Sequence, residues 1–134
     1  MTEAASWTTW RRHLAPYGQL LRVENALMAG FPDVLYCLRS RSGLLELKTD
    51  LASLTLEQVL LGEAWTAAGG AWWLGYRGQA GAHKGVWALF DARGARLAYS
   101  KMLLPVSAAA RLWTTGAFPL RDVLDLLAPR VKST

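Results

Sequence analysis

Apolar residues recur along the chain with two different periods, and the switches between them divide it into helices and strands. Trp7, Trp10 and Leu14, at i, i+3 and i+7, predict a short helix over 6–14 with Ser6 as its N-cap, ended by Pro16 and Gly18. Residues 19–27 fit a strand or more helix; as a strand, Leu21 and Val23 face one way and Arg22 and Glu24 the other. A turn follows at 29–32, where Gly30 is free in φ and Pro32 fixes the backbone before Asp33. The runs 33–38 and 44–49 then predict an antiparallel hairpin closed by the polar segment 39–43.

Downstream, Leu56, Leu60, Ala64 and Ala68, joined by Leu61 and Trp65, predict an amphipathic helix over 55–68 that ends at Gly69-Gly70. An aromatic-rich strand follows at 71–76, then a glycine-rich loop over 77–85. Segments 85–91 and 96–100 suggest a second hairpin around Asp91-Ala92-Arg93-Gly94, and 106–113 and 120–127 suggest two short helices. The expected architecture is a single α/β domain spanning 1–134, with a central mixed sheet flanked by helices and a C-terminal hairpin and helical extension.

Composition narrows the class. Apolar residues make up 52% of the 134 and charged residues 19%, enough for one core without a structural metal. No apolar run approaches the ~20 residues that span a bilayer, and the N-terminus lacks the basic-then-apolar order of a signal peptide, so a soluble, cytoplasmic protein is expected. Cys37 is the only cysteine, which excludes an internal disulfide and a cysteine-based zinc site; it reads as a small core residue. Fifteen Lys and Arg against ten Asp and Glu give +5, a balance that suits nucleic acid as a partner and also suits plain solubility.

The candidate chemistry lies in the first hairpin. With Leu45 and Leu47 pointing into one layer, Leu44, Glu46 and Lys48 share the other face, so a carboxylate and an ammonium stand side by side. Asp33, at the head of the partner strand, brings a second carboxylate. Two carboxylates that converge disfavour each other's ionisation, and a hard cation such as Mg²⁺ with open coordination positions relieves this and accepts a phosphate. Read blandly, Glu46 and Lys48 are an exposed pair and Asp33 a turn residue; spacing alone does not separate the two.

The segment resembles the PD-(D/E)XK nuclease superfamily in Pro32-Asp33 and Glu46-Leu47-Lys48. Arg22-Val23-Glu24-Asn25, the run from Gly30 to Cys37, Leu45 to Lys48 and Gln58 are similar to small phage-type nucleases near the VRR-Nuc and Holliday-junction-resolvase branches, over roughly residues 19–76. The resemblance implies a restriction-endonuclease-like αβββαβ core, Mg²⁺ or Mn²⁺ held by Asp33, Glu46 and the backbone carbonyl of Leu47, and Lys48 placing the attacking water. It implies DNA as substrate, branched or structured, and a possible homodimer in the host cytoplasm if the chain is phage-encoded. Many members carry a further metal-facing Glu on the first helix, and none follows Glu3 here; Glu24 is the substitute, or else a salt-bridge partner of Arg22.

Gln58 corresponds to a glutamine beside the site in related nucleases, and Thr55-Leu56-Glu57-Gln58 is also a capping box. Arg39, Arg41, Arg77 and Lys84 lie in loops and are candidate phosphate contacts, with solvated loop charge as the default. His13 and His83 have no metal-ligand spacing. Trp7, Trp10, Trp65, Trp72 and Trp87 are expected in the core or at a subunit interface. The rival to a nuclease is a non-catalytic nucleic-acid-binding or protein-interaction module on the same scaffold.

Overall fold

The computed structural model describes residues 2–23, 30–101 and 105–130. Its elements are α1 (Glu3–Leu14), β1 (Gly18–Arg22), β2 (Val34–Leu38), β3 (Arg41–Lys48), α2 (Leu56–Ala67), β4 (Trp72–Arg77), β5 (Val86–Phe90), α3 (Ala92–Ser100), β6 (Leu112–Thr115) and α4 (Leu120–Leu127). The six strands form one open sheet in sequence order. Neighbours are antiparallel except β3 and β4, which run parallel and need the crossover that α2 supplies.

Strand alternation sorts the apolar residues into two cores. Leu45 and Leu47 of β3 pack with Trp10 and Leu14 of α1, and with Val123, Leu124 and Leu127 of α4, on one face. Leu44 packs with Val59 of α2 and Ala92 and Ala95 of α3 on the other. The fold is therefore α/β, an open mixed sheet between two helical layers. None of its described helices is long and apolar enough to cross a membrane.

The first hairpin is tighter than the sequence suggests. Arg39 and Ser40, at φ 49° and 64°, are the two central residues of the turn, and β3 begins at Arg41. Helix α1 starts a turn earlier than expected. Thr2, not Ser6, caps it, its hydroxyl accepting the N–H of Ala5 at 3.1 Å, and Ser6 is buried inside the helix.

Three expectations in the rest of the chain are corrected. Residues 92–100 form a helix where a strand was expected: Asp91 Oδ1 accepts the N–H of Gly94 at 2.8 Å, so the apparent hairpin turn is an N-cap. The strand partner of β5 is instead β6, inside a segment whose pattern suggested helix; only 106–109 coil, as a short 3-10 turn. Exposed edge hydrogen bonds on β5, and the β-favouring Trp113, Thr114 and Thr115, outweigh the helical spacing. Helix α2 turns a different face inward: Val59 and Gly62 are buried, while Leu56, Leu60 and Trp65 remain 40–49% exposed.

Its ends follow the sequence closely. Gly70 N–H bonds to Trp65 O and Gly69 N–H to Thr66 O, the paired C-terminal bonds of a Schellman cap, with Gly69 at φ 92°. Cys37 lies on the outward face of β2 and is exposed, so it is not a core residue. Trp10, Trp72 and Trp87 are buried as expected. His13 stacks on Phe118 with ring centroids 4.6 Å apart.

Candidate active site

Sheet pairing builds the site. Val34 is the partner of Leu45, so Asp33, one step before it, reaches the position opposite Glu46. The N–H of Asp33 donates to Glu46 Oε2 at 3.2 Å, and the N–H of Leu47 donates to Asp33 Oδ2 at 3.3 Å. The backbone of each strand thus holds the carboxylate of the other. Gly30 takes φ 82°, and a Cβ there would lie 2.6 Å from the carbonyl carbon of Glu57; the turn entering Asp33 therefore rests against the first turn of α2.

That first turn carries Gln58. Thr55 Oγ1 accepts the N–H of Gln58 at 3.2 Å and Gln58 Oε1 accepts the N–H of Thr55 at 2.9 Å, completing the capping box. The free end of the same amide, Nε2, donates to Glu46 Oε1 at 2.8 Å. Gln58 thus closes the capping box and contacts Glu46 with the same amide. Lys48 Nζ stands 3.6 Å from the same oxygen.

Glu46 is 1% exposed, one of two buried polar or charged residues among those described. Burial, and then the Asp33 carboxylate beside it, push its acid up to about 8, against a smaller opposing pull from Lys48. A carboxylate so placed is charged at neutral pH only if more positive charge reaches it. The donor set fits a hard divalent cation: two oxygen ligands, no soft ones, and a buried acid short of positive charge.

The remaining sequence candidates divide. Leu47 turns its side chain into the α1–α4 core, and its amide donates to Asp33 Oδ2. Glu24 lies outside the described residues. Arg39 pairs with Asp125 at 3.4 Å and lies over the Tyr17 ring, at the turn remote from Glu46. Arg41 is exposed at the start of β3, about 23 Å from Lys48 at ~3.3 Å per residue. Arg77 donates to Gly85 O at 3.0 Å with its guanidinium 4.1 Å from the Trp87 ring centroid, so it is spent on the fold. Lys84 is exposed in the loop beyond β4, at the Lys48 end of the sheet.

Two residues were not assigned to the site from the sequence. Glu3, in the first turn of α1, lines a small cavity with Trp7, Arg22, Asp33 and Leu47; Thr2, an N-cap residue just ahead of it, was the signal for it. It does not close on the pair, and among the described residues no three acidic, His or Cys side chains gather as a metal cluster. Tyr76 is the second: it is the Cα partner of Lys48 across the parallel pair, and its hydroxyl lies 2.9 Å from His83 Nδ1. Comparison with protein-family models, curated proteins and solved structures returned no match to this chain.

Proposed function

We propose that this chain is a divalent-metal-dependent nuclease that hydrolyses DNA phosphodiester bonds, cutting within branched or otherwise structured DNA. The observation that carries the reading is Glu46: a fully buried acid, set against Asp33 and within 3.6 Å of the Lys48 ammonium. A structural salt bridge has no need of a second carboxylate at that place, which costs stability. The helix, three strands, helix, strand order over 3–77 is consistent with a restriction-endonuclease-like αβββαβ core.

Asp33 and Glu46 would hold Mg²⁺ or Mn²⁺, whose chemistry there is to neutralise and polarise the scissile phosphoryl group. The chain's own residues do the rest. Gln58 fixes the Glu46 carboxylate through one oxygen, and the Leu47 amide fixes Asp33. Lys48 holds the attacking water and offsets the negative charge on the phosphoryl oxygens in the transition state. The water oxygen bonds to phosphorus, the bond to the leaving oxygen breaks, and a water proton ends on that oxygen. Glu3 and Arg22 stand on the Asp33 side, where the substrate strand would enter.

The alternative, a non-catalytic nucleic-acid-binding module, draws on one observation: each oxygen of Glu46 already has a hydrogen-bond donor from the protein itself. The test incubates the protein with linear duplex, single-stranded and four-way-junction DNA in Mg²⁺, Mn²⁺ or EDTA, alongside Asp33→Ala and Lys48→Ala. Metal-dependent cutting that both substitutions abolish is the expected result. Cutting in EDTA or by Asp33→Ala would remove the mechanism, and binding without cutting on every substrate would favour the module.

A further inference from the structure

A cavity of about 680 Å³ opens at the carboxyl end of the parallel pair β3 and β4, within the size range of small-ligand sites. Leu51, Leu54 and Val106 give it apolar walls; His83, Tyr99 and Lys101 add polar groups. It belongs to the face of the sheet that bears Glu46 and Lys48, since Leu54 and Tyr76 share one core with Leu44 and Leu74. Crevices outside the carboxyl ends of strands are where open α/β sheets bind ligands.

The imidazole of His83 is held on two sides. Tyr76, whose burial raises its pKa and keeps the hydroxyl protonated, lies 2.9 Å from Nδ1, and the Trp113 ring meets the imidazole edge-on at 4.9 Å. Nε2, the ring nitrogen away from Tyr76, has no hydrogen-bond partner among the described residues, and whether Nδ1 accepts from or donates to the Tyr76 hydroxyl follows the tautomer. Tyr99 is 38% exposed and offers a ring face, and Lys101 and Lys84 are exposed cations. None of the described residues lining the cavity is acidic; Asp50, next in sequence to Leu51, is the carboxylate whose charge acts on the Tyr76 hydroxyl.

A cavity with apolar walls, the Tyr99 ring, an unpartnered imidazole nitrogen and the Lys101 cation suits a base that carries phosphate. We infer that this cavity receives one unstacked nucleotide of the substrate strand, its base against Tyr99 with an edge on His83 Nε2, its phosphate near Lys101. The inference rests on the nuclease reading and narrows the substrate: an unpaired nucleotide must flank the scissile phosphate. A base inside an intact duplex would first have to leave its stack, which makes blunt duplex a poor substrate.

The test has two arms. In the first, 2-aminopurine deoxyribonucleoside monophosphate is titrated into the full chain in EDTA and its fluorescence quenching is followed. Saturable quenching is expected, weakened at least tenfold in Tyr99→Ala and His83→Ala, retained in Tyr99→Phe and unchanged in Arg41→Ala. Tyr99 is exposed, so thermal melting of Tyr99→Ala should match the wild type. In the second arm, cleavage of a flapped DNA in Mg²⁺ should exceed that of a blunt duplex at least tenfold, with the preference lost in Tyr99→Ala. Absent quenching, or equal binding by Tyr99→Ala, overturns the inference even if metal-dependent cutting is seen. Saturable, Tyr99-dependent quenching without cutting of any DNA keeps the nucleotide site and removes the nuclease reading.

Discussion

The Nε2 of Gln58 donates to Glu46 Oε1 at 2.8 Å while the Oε1 of the same amide accepts the Thr55 N–H at 2.9 Å, so one side chain both starts helix α2 and fixes the buried acid. The two roles separate by substitution. Gln58→Glu keeps an acceptor for Thr55 but loses the donor to Glu46 and adds a third carboxylate, so the melting temperature of the metal-free protein should fall and cleavage should drop at least tenfold. Gln58→Ala keeps the Thr55 cap on the residue 58 N–H, loses the reciprocal bond to the Thr55 N–H and adds no charge, so it should cost about 1 kcal/mol and less than Gln58→Glu. Urea unfolding of the two variants side by side checks the ranking. Equal stability and activity for both would leave Gln58 as a cap alone.

The buried acid makes stability depend on pH. Because Glu46 titrates at about 8 in the folded protein against 4.5 unfolded, its stabilising contribution is complete below pH 4.5 and is lost as pH rises through 8. The metal-free protein should lose on the order of a few kcal/mol between pH 5 and pH 9 from this source. Glu46→Gln should flatten that slope. Thermal melts in EDTA across the range measure it, and a wild-type curve no steeper than that of Glu46→Gln would contradict the assignment.

Gly30 tests how the Asp33 turn is seated. With φ at 82° and the Glu57 backbone within 2.6 Å of an added Cβ, Gly30→Ala meets both strain and a clash. A loss of about 1–3 kcal/mol is expected in chemical denaturation. Cleavage should fall further than stability explains, because Asp33 shifts away from Glu46.

Arg39, Arg41 and Lys84 should not behave alike. Arg39 and Arg41 stand at the far end of β3, so replacing either by Ala should leave the salt dependence of DNA binding unchanged. The exposed Arg39–Asp125 pair adds at most ~1 kcal/mol to stability. Lys84→Ala, at the Lys48 end, should lower the slope of log K against log salt by about 1. Equal slopes for all three would place the DNA elsewhere.

Much of the site was legible in the chain because it rests on local rules. Alternation along β3 put Glu46 and Lys48 on one face, the hairpin brought Asp33 opposite, and the Thr55–Gln58 spacing predicted the capping box. What the sequence hid depends on partners distant in the chain. Asp91-Ala92-Arg93-Gly94 serves equally as a turn or as an N-cap, and the packing of Ala92 and Ala95 against the sheet decides for helix. Residues 112–115 become a strand only because β5 offers an open edge. Which side of α2 is buried follows from Trp72, whose ring occupies the space over Gly62, and not from the larger apolar stripe through Leu56 and Leu60.

The most direct test of the proposed site is single-turnover cleavage of a flapped DNA titrated with Mn²⁺, wild type against Glu46→Gln. The account predicts no cutting in EDTA, a saturable rise with Mn²⁺ for the wild type, and a rate at least 100-fold lower for Glu46→Gln at every concentration. Cutting in EDTA, or a Glu46→Gln curve that overlies the wild type, would contradict it.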